Sequence, residues 1–478
     1  MDRTIFITGP DPSLELLYSD VWLPGLYSRR ILCFELPQGS THEKVIDAME
    51  RAMKALVQGT PELGSSSVVV PNAALHDPSQ PWRALAPGDG IQLSIKDMTK
   101  TFQSYKELEA AGFPLAAFKD ADFMPIAGAI MPEPQPQSKF QLSLIEGGVL
   151  LSVCLYHHLH DGNGINTVTR ALGDECRRAA DTKGQLPPRK LNHDRSIMAS
   201  LNGGLTDLKE HPAYSIKHGV FIPGIHHDHA PPEANGEPAP PPPEFVPAYF
   251  NITNDNAQAL KDYGGRDMRI STHDAITAAI WRTLTVARFK TGQLKEDTVS
   301  TFTVPHNARQ HVGLDKDWVG NCVYFISCDA KVSDIIQEDS LPMLAAKIRT
   351  ELNRTNRERV EGLMTLRKRD PYSLAWWPIG MADKPHIVAL TSMYHSEIVG
   401  YDFGPALGKV KHFTSTKIGA FGPDFQRAHF VGPKIDGGQA CNVYVGLVKD
   451  EVDPFSREPL WSRYFSLLEV RGNAVSDV

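Results

Sequence analysis

The pattern of hydrophobic and polar positions predicts a mixed α/β protein in two halves. In the first half, RRILCFELP and SSVVVP are short apolar runs typical of strands, whereas HEKVIDAMERAMKALVQ spaces its apolar residues as a helix does. QLSLIEGGVLLSVCLY is predicted as one strand that leads into a helix, INTVTRALGDECRRAA. The second half repeats this mixture, with helices in NAQALKDYG, THDAITAAIWRTLTVARF and LPMLAAKIRTELNRTN and strands near STFTVPH, VGNCVYFISCDA, HIVALTSMY and CNVYVGLVK.

A proline-rich stretch separates the two halves. Residues 184–247 include APPEANGEPAPPPPEF, which contains too much proline to form a helix or a central strand. We therefore predict an N-terminal lobe over residues 1–183, a crossover over 184–247 and a C-terminal lobe over 248–478, with a short segment near 370–395 packed on the N-terminal lobe. Two such lobes favour a cleft or tunnel between them as the place for a ligand.

Charge, the lack of long apolar windows and the cysteine spacing argue against several classes of partner and site. The 478 residues carry 49 Lys and Arg against 56 Asp and Glu, a net charge of -7 without a basic stripe, which argues against nucleic acid. The amino terminus lacks a signal-length apolar core and no window approaches a membrane span, so we expect a cytoplasmic protein with no membrane partner. The six cysteines are scattered without a C-x-x-C pair, which argues against a disulfide framework and against zinc.

The stretch YHHLHDGNG, from Tyr156 to Gly164, is a dense cluster of groups that could bind a metal or catalyse a reaction. Zinc binds histidine and carboxylate, but a strand followed by a turn would put His158 and His160 on one face, apart from His157, so three convergent ligands are disfavoured. The run HHDH at 226–229 is a weaker metal candidate because it lies in the proline-rich stretch.

Two interpretations of the same stretch stay open from the residues alone. His157 could be a general base, with Asp161 directed inward past a turn that Gly162 and Gly164 permit and paired there with a cation. Alternatively, His157 is a turn residue and Asp161 simply caps the helix that follows. Other chemistry is not supported, since the chain has no G-x-S-x-G elbow, GPALGKV is too short for a P-loop, and GNG does not complete a dinucleotide fingerprint.

Several segments together resemble one family. His157 to Gly162 resembles the H-x-x-x-D-G signature of the BAHD acyltransferases, and Asp402-Phe403-Gly404 resembles the start of their D-F-G-W-G signature. STHDAITAAIWR, VPHNARQ followed by WVGN, and LTSMYHSEIVGYDFG also resemble family segments, and KDMTKTFQSYKELEAAGFPLAAF is similar to the fungal branch that includes trichothecene 3-O-acetyltransferase. The resemblance covers most of the chain.

This resemblance implies a fold and an activity. The fold would be two chloramphenicol-acetyltransferase-like lobes with a channel between them, joined by the long crossover, in a monomer without a metal. His157 would deprotonate a hydroxyl or amine, which attacks the thioester of acyl-CoA, expected to be acetyl-CoA, without an acyl-enzyme. The acceptor would be a small molecule, most simply the hydroxyl of a fungal-type secondary metabolite. The alternative is a fold relative that binds a small molecule, or promotes an intramolecular condensation or cyclisation, without CoA.

The resemblance also implies roles for individual residues. Asp161 would be structural and would pair with Arg309, while Asp402 and Gly404 would be architectural residues of the channel wall. Asn307 replaces the usual acidic residue of the D-x-R element, and PALG follows D-F-G where W-G is usual. Because Met393 stands where many relatives have a tryptophan near the oxyanion, Thr391 is the candidate oxyanion donor.

Overall fold

The protein divides into two compact units. Its structure, a computed structural model, describes residues 2–22, 25–71, 81–126, 131–216, 244–369, 374–376, 384–415, 427, 429–435 and 439–470. By their contacts, residues 1–201, 313–322 and 396–417 form the first unit, and residues 202–312, 323–395 and 418–478 form the second.

Helices occur in both units. In chain order, the helices of the first unit are α1 Tyr18–Val21, α2 His42–Gly59, α3 Tyr105–Ala110, α4 Asp120–Phe123, α5 Gly162–Asp181 and α6 Ser196–Ser200. Those of the second unit are α7 Asn254–Gly264, α8 Thr272–Lys290, α9 Arg309–Val312, α10 Val332–Ile335, α11 Leu341–Arg354, α12 Arg357–Arg369, α13 Val452–Ser456 and α14 Pro459–Tyr464. None of the described helices is both long and apolar enough to span a bilayer.

Most of the described strands build one large sheet in each unit, and the other five form a two-stranded and a three-stranded sheet. In chain order they are β1 Arg3–Ile7, β2 Tyr27–Glu35, β3 Ser66–Pro71, β4 Pro81–Ala86, β5 Ile91–Asp97, β6 Gln135–Pro136, β7 Ser138–Ile145, β8 Gly148–Tyr156, β9 Tyr214–Ile216, β10 Phe245–Thr253, β11 Val299–Asn307, β12 Val323–Lys331, β13 Leu374–Trp376, β14 Ile387–Ser392, β15 His412–Thr414, β16 His429–Lys434, β17 Gln439–Val448 and β18 Phe465–Val470.

The sheet of the first unit has the order β1-β5-β7-β8-β2-β15. Its pairs are antiparallel except β5 with β7, and all nine residues of β8 are buried. The apolar stretch predicted as one strand is instead the β7–β8 hairpin, because the chain turns at Glu146 and at Gly147, which has a φ of 71°. Leu144 and Ile145 end β7 and Val149 to Leu151 follow in β8, so apolar residues on both sides of the turn made the stretch resemble one strand.

Two capped helices, α2 and α5, pack against each other in this unit. The Thr41 side chain accepts the Lys44 N–H at the start of α2, and the Asp161 side chain accepts the Gly164 N–H at the start of α5. Each helix buries apolar residues at helical spacing, such as Val45, Met49 and Met53 in α2, so burial stabilises the helices as well as the unit.

The sheet of the second unit has the order β12-β11-β14-β16-β17-β10-β18. The pairs β11–β14 and β14–β16 are parallel and the others antiparallel. Helix α8 contacts α7, α11 and α13 and is buried along most of its length, with a capping box formed by Ser271 and Asp274 at its start.

The contact division differs from the predicted lobes in two places. Residues 396–417, which include the D-F-G segment, belong to the first unit, where β15 pairs with the edge of β2. Residues 313–322 also belong to the first unit. Residues 370–395, which were predicted to pack on the N-terminal lobe, are instead assigned to the second unit. Edge pairing between segments hundreds of residues apart leaves no local pattern in the sequence. Of the predicted crossover 184–247, residues 217–243, which hold most of the proline-rich run, lie outside the described residues.

Candidate active site

His157 lies where β8 ends and the chain turns toward α5. The strand ends at Tyr156, the next residues form a turn, and α5 begins at Gly162. The backbone N–H of His157 donates to the carbonyl of Leu26 at 2.8 Å, so the segment before β2 holds the first peptide group beyond the strand. The side chain is half-buried.

The ring nitrogens of His157 have no hydrogen bond to another described residue. Its Nδ1 is buried without a hydrogen-bond partner, and Nε2 has none among the described residues. Burial lowers the pKa of His157 below its usual value, the negative charge of Asp161 opposes this shift, and the positive charge of Arg30 adds to it. The imidazole is therefore neutral at neutral pH and able to accept a proton.

Asp161 is a buried N-cap. One carboxylate oxygen accepts the Gly164 N–H at 2.9 Å and the other accepts the Cys322 N–H at 3.0 Å. The interpretation of Asp161 as the cap of the following helix is confirmed. Its predicted pairing with Arg309, which lies in the other unit, stays a prediction.

The glycines of the motif do not shape the turn as predicted. Neither Gly162 nor Gly164 has a positive φ. A Cβ at Gly162 would meet nothing within 4 Å, and at Gly164 it would make ordinary contacts at 3.4 Å with Gly320. The turn is held by hydrogen bonds to Asp161 and from neighbouring segments, so the expectation that it depends on glycine conformation was wrong.

Sequence reasoning missed the contribution of residues 313–322 to this site. The side-chain Nδ2 of Asn321 donates to the carbonyls of His157 at 3.2 Å and His158 at 2.5 Å, and the Asp161 N–H donates to the carbonyl of Gly320 at 3.4 Å. The only signal was the likeness of WVGN to a family element, because spacing along the chain cannot show that residues 164 positions apart meet.

The other histidines of the motif are packed into the first unit. His158 and His160 are buried, the His158 ring lies 4.8 Å from that of Tyr156, and both nitrogens of His160 are buried without a hydrogen-bond partner. Burial lowers the pKa of His160 to about 3. Among the described residues, no three His, Cys, Asp or Glu side chains are grouped to hold a metal ion, and residues 226–229 lie outside that part of the chain.

The D-F-G segment packs on helix α5. The Asp402 carboxylate accepts the Gly404 N–H at 2.8 Å, and its backbone carbonyl accepts a hydrogen bond from Arg177. Phe403 is buried edge-on against Phe34, with ring centroids 5.0 Å apart. Gly404 has a φ of 85°, and a Cβ there would lie 2.8 Å from the Arg177 Cα, so this position requires glycine. These contacts support the architectural role predicted for Asp402 and Gly404.

The remaining predicted residues lie in the second unit. Arg309 is buried, and the Asn307 side-chain oxygen accepts its backbone N–H at 3.2 Å and its side-chain Nη1–H at 3.0 Å. Asn307, which replaces the acidic residue of the D-x-R element, thus makes a local polar contact with Arg309. Thr391 is exposed near the end of β14, and the Met393 N–H donates to Val431 at 2.8 Å.

The second unit also carries a group of four histidines that the sequence did not single out. We call His273, His306, His311 and His395 the second-unit histidine cluster. The Nε2 of His273 lies 2.9 Å from the Ser392 hydroxyl, and the Nε2 atoms of His306 and His311 lie 3.1 Å apart. Burial lowers the pKa of His273 and of His306 to about 4 each.

Part of the chain matches a family model. Residues 26–176, which run from the start of β2 through the histidine motif into α5, match the trichothecene 3-O-acetyltransferase-like N-terminal domain. The resemblance predicted from the motifs is therefore confirmed for residues 26–176, which include the histidine motif.

Similar proteins extend the resemblance over nearly the whole chain. The enoyl-CoA isomerase/hydratase claC of Penicillium crustosum is 27% identical over 97% of this chain but 52% of its own length, so this chain spans about half of it. The trichothecene 3-O-acetyltransferase TRI101 of Fusarium sporotrichioides is 24% identical over 95% of this chain and 96% of its own length.

Solved structures confirm the predicted α/β fold. The structure of TRI101 from F. sporotrichioides, complexed with coenzyme A and T-2, has a TM-score of 0.74 at 20% identity and covers 95% of this chain and 98% of its own. Vinorine synthase has a TM-score of 0.61 at 17% identity and covers 98% of each chain.

Proposed function

We propose that this protein is a CoA-dependent acyltransferase of the BAHD type, most simply an O-acetyltransferase that acts on a hydroxyl of a fungal-type secondary metabolite. The observation that carries the proposal is the neutral, half-buried His157 ring, which sits on a hydrogen-bonded backbone and whose Nε2 has no hydrogen bond to a described residue. Relatives named as fungal O-acetyltransferases, and a TRI101 structure that holds coenzyme A and T-2, support the substrate classes.

His157 is the general base of the proposed reaction. Its Nε2 accepts the proton of the acceptor hydroxyl while the oxygen attacks the thioester carbonyl of acyl-CoA. The carbon–sulfur bond then breaks, and the CoA thiolate leaves with the proton that His157 returns. The products are an ester and CoA, and no acyl-enzyme forms.

Other residues hold the base or the developing charge. Asp161 caps α5 and, we propose, pairs with Arg309, whose side chain is buried. A pair of this kind would offset the cost of burying each charge. Thr391, exposed near the end of β14, is the proposed donor to the oxyanion, since Met393 has no hydrogen-bond donor in its side chain.

The test is release of CoA by the purified chain. Acetyl-CoA and crotonyl-CoA serve as donors, the second because one relative is named for enoyl-CoA chemistry. T-2 toxin and a panel of hydroxylated terpenoids, alkaloids and polyketides serve as acceptors. The free thiol is measured with a thiol reagent, and the ester by mass spectrometry.

We expect His157→Ala to slow CoA release by about 10²- to 10⁴-fold, the usual contribution of one positioned base. The matched control is His306→Ala, which removes another half-buried histidine and should keep the rate within about threefold. Equal rates in wild type and His157→Ala would reject the base. Failure of every donor and acceptor pair would instead favour the interpretation as a CoA-independent fold relative.

A further inference from the structure

The two peptide groups that flank the Cα of His157 are both held by hydrogen bonds. The peptide before it donates its N–H to Leu26 at 2.8 Å, and the peptide after it accepts from Asn321 Nδ2 at 3.2 Å. With both peptide planes fixed, the direction of the Cα–Cβ bond is fixed, and only two side-chain torsions remain to orient the ring. The ring itself contributes none of these hydrogen bonds.

Asn321 is buried and uses only the nitrogen of its amide here. Nδ2 supplies one N–H to the His157 carbonyl and the other to the His158 carbonyl, while Oδ1 is buried without a hydrogen-bond partner. Burial of an unpartnered oxygen costs stability and offsets much of what the two hydrogen bonds contribute. The arrangement therefore adds little to folding but constrains the backbone of the turn.

The segment that carries Asn321 is also held by contacts with Asp194 and Arg195. The Trp318 indole N–H donates to the Asp194 carbonyl at 2.6 Å, and the Arg195 guanidinium lies 4.7 Å from the Trp318 ring centroid. Gly320 makes room for these two side chains, because a Cβ there would lie 2.2 Å from the Trp318 ring and 2.7 Å from Arg195 Nη1. The Cys322 N–H, one residue beyond Asn321, donates to Asp161.

We infer that Asn321 is a positioning residue for His157: its amide, presented by the anchored segment 313–322, fixes the two carbonyls of the turn and so aims the imidazole. The inference rests on the proposed acyl transfer. Asn321 touches neither the ring nor the reacting atoms in this role, so its contribution is to alignment.

The main test replaces Asn321 by the isosteric acid. Asn321→Asp turns two donors into acceptors that face two carbonyls, so we expect kcat to fall about 100-fold, as misalignment by about 1 Å can do, with the KM for acetyl-CoA within about threefold. Faster hydrogen exchange in the peptide that covers residues 157–164 is the matching structural readout. Asn321→Ala, which removes the donors without adding charge, serves if Asn321→Asp does not fold.

The control is Asn251→Asp in β10. Asn251 is also buried and its Nδ2 likewise donates to two acceptors, the Cys441 carbonyl and the Asn442 side chain. It should lose stability but keep kcat within about threefold. The inference is overturned if a folded Asn321 variant keeps kcat, or if Asn251→Asp loses as much.

Hydrogen exchange separates failure of this inference from failure of the proposed function. If the wild-type chain releases no CoA with any substrate pair, the proposed function fails while the exchange measurement still applies. Unchanged exchange over residues 157–164 in the Asn321 variants would then overturn the inference, and faster exchange there, absent in Asn251→Asp, would support it.

Discussion

The histidine motif of the first unit and the second-unit histidine cluster use hydrogen bonds in opposite ways. At His157 the bonds from other described residues go to the backbone, from Asn321 and to Leu26, and Nδ1 of the ring is buried without such a partner. In the cluster the bonds go to the rings, with His273 bonded to Ser392 and His306 to His311. Burial lowers the pKa of the histidines in both places.

This difference indicates which histidines are suited to catalysis. A lowered pKa keeps every one of these rings neutral, so charge state alone does not distinguish them. A general base also needs a nitrogen lone pair that a substrate proton can reach. In His157 the ring is oriented through its backbone and no described residue bonds Nε2, whereas at His273 and His306 Nε2 already has a partner.

The largest effect that tests this comparison is the pH dependence of kcat/KM. Protonated His157 cannot accept a proton, so kcat/KM should be constant above its folded pKa and fall about tenfold per pH unit below it. Since burial places that pKa below 6.5, the acid limb should lie below pH 6.5. Steady-state rates of CoA release across this range measure it.

The same profile in His306→Gln should show an unchanged acid limb, because the proton that limits the reaction is on His157. An acid limb that shifts to another pH or disappears in His306→Gln would mean that the second-unit histidine cluster supplies the base. That result would contradict the assignment of the base to His157.

A smaller effect separates His157 from His160 within the motif. The folded pKa of His160 is lowered to about 3, so below the unfolded value of about 6.5 only the unfolded chain binds this proton. Above about pH 6.5 His160 is neutral in both states and leaves the free energy of unfolding unchanged. Below it, the free energy of unfolding falls by about 1.4 kcal/mol per pH unit until the pH reaches the folded pKa.

Replacing His160 by glutamine should therefore flatten the acid dependence of the free energy of unfolding by about this slope between about pH 6 and pH 4. Urea unfolding of both proteins at several pH values measures it. Identical slopes would mean that His160 is protonated in the folded protein.

The smallest effect concerns Ser392→Ala in the second unit. Loss of the hydroxyl that bonds His273 should cost about 1 kcal/mol of stability and lower the Tm by about 1–2 °C, since the entropy of unfolding grows with chain length. The kcat should stay within about twofold, since the bond serves packing. Calorimetry and CoA release measure the two quantities, and a fall of kcat by more than about tenfold would give the cluster a part in the reaction.

The elements that the sequence predicted well are those with a strong local signal. Helices α2, α5 and α8 combine apolar periodicity with a capping residue, and each begins within a few residues of its predicted start. Helix α12 was not predicted because its sequence, RERVEGLMTLRKR, is mostly charged and polar. The β7–β8 hairpin was missed because β8 is uniformly buried and apolar residues lie on both sides of the turn, although β7 itself alternates polar and apolar residues.

By itself, the sequence determined the chemical groups and their local frame: a histidine at the end of a buried strand, and an aspartate placed to cap the next helix. Spacing over a few residues suffices for these, because caps and turns are local. Only the tertiary structure decided that Leu26 and Asn321 hold the backbone of His157, and that the 396–417 segment joins the first unit. Hydrogen bonds between residues far apart in the chain, and the burial that lowers the pKa of His157, exist only once the chain is folded.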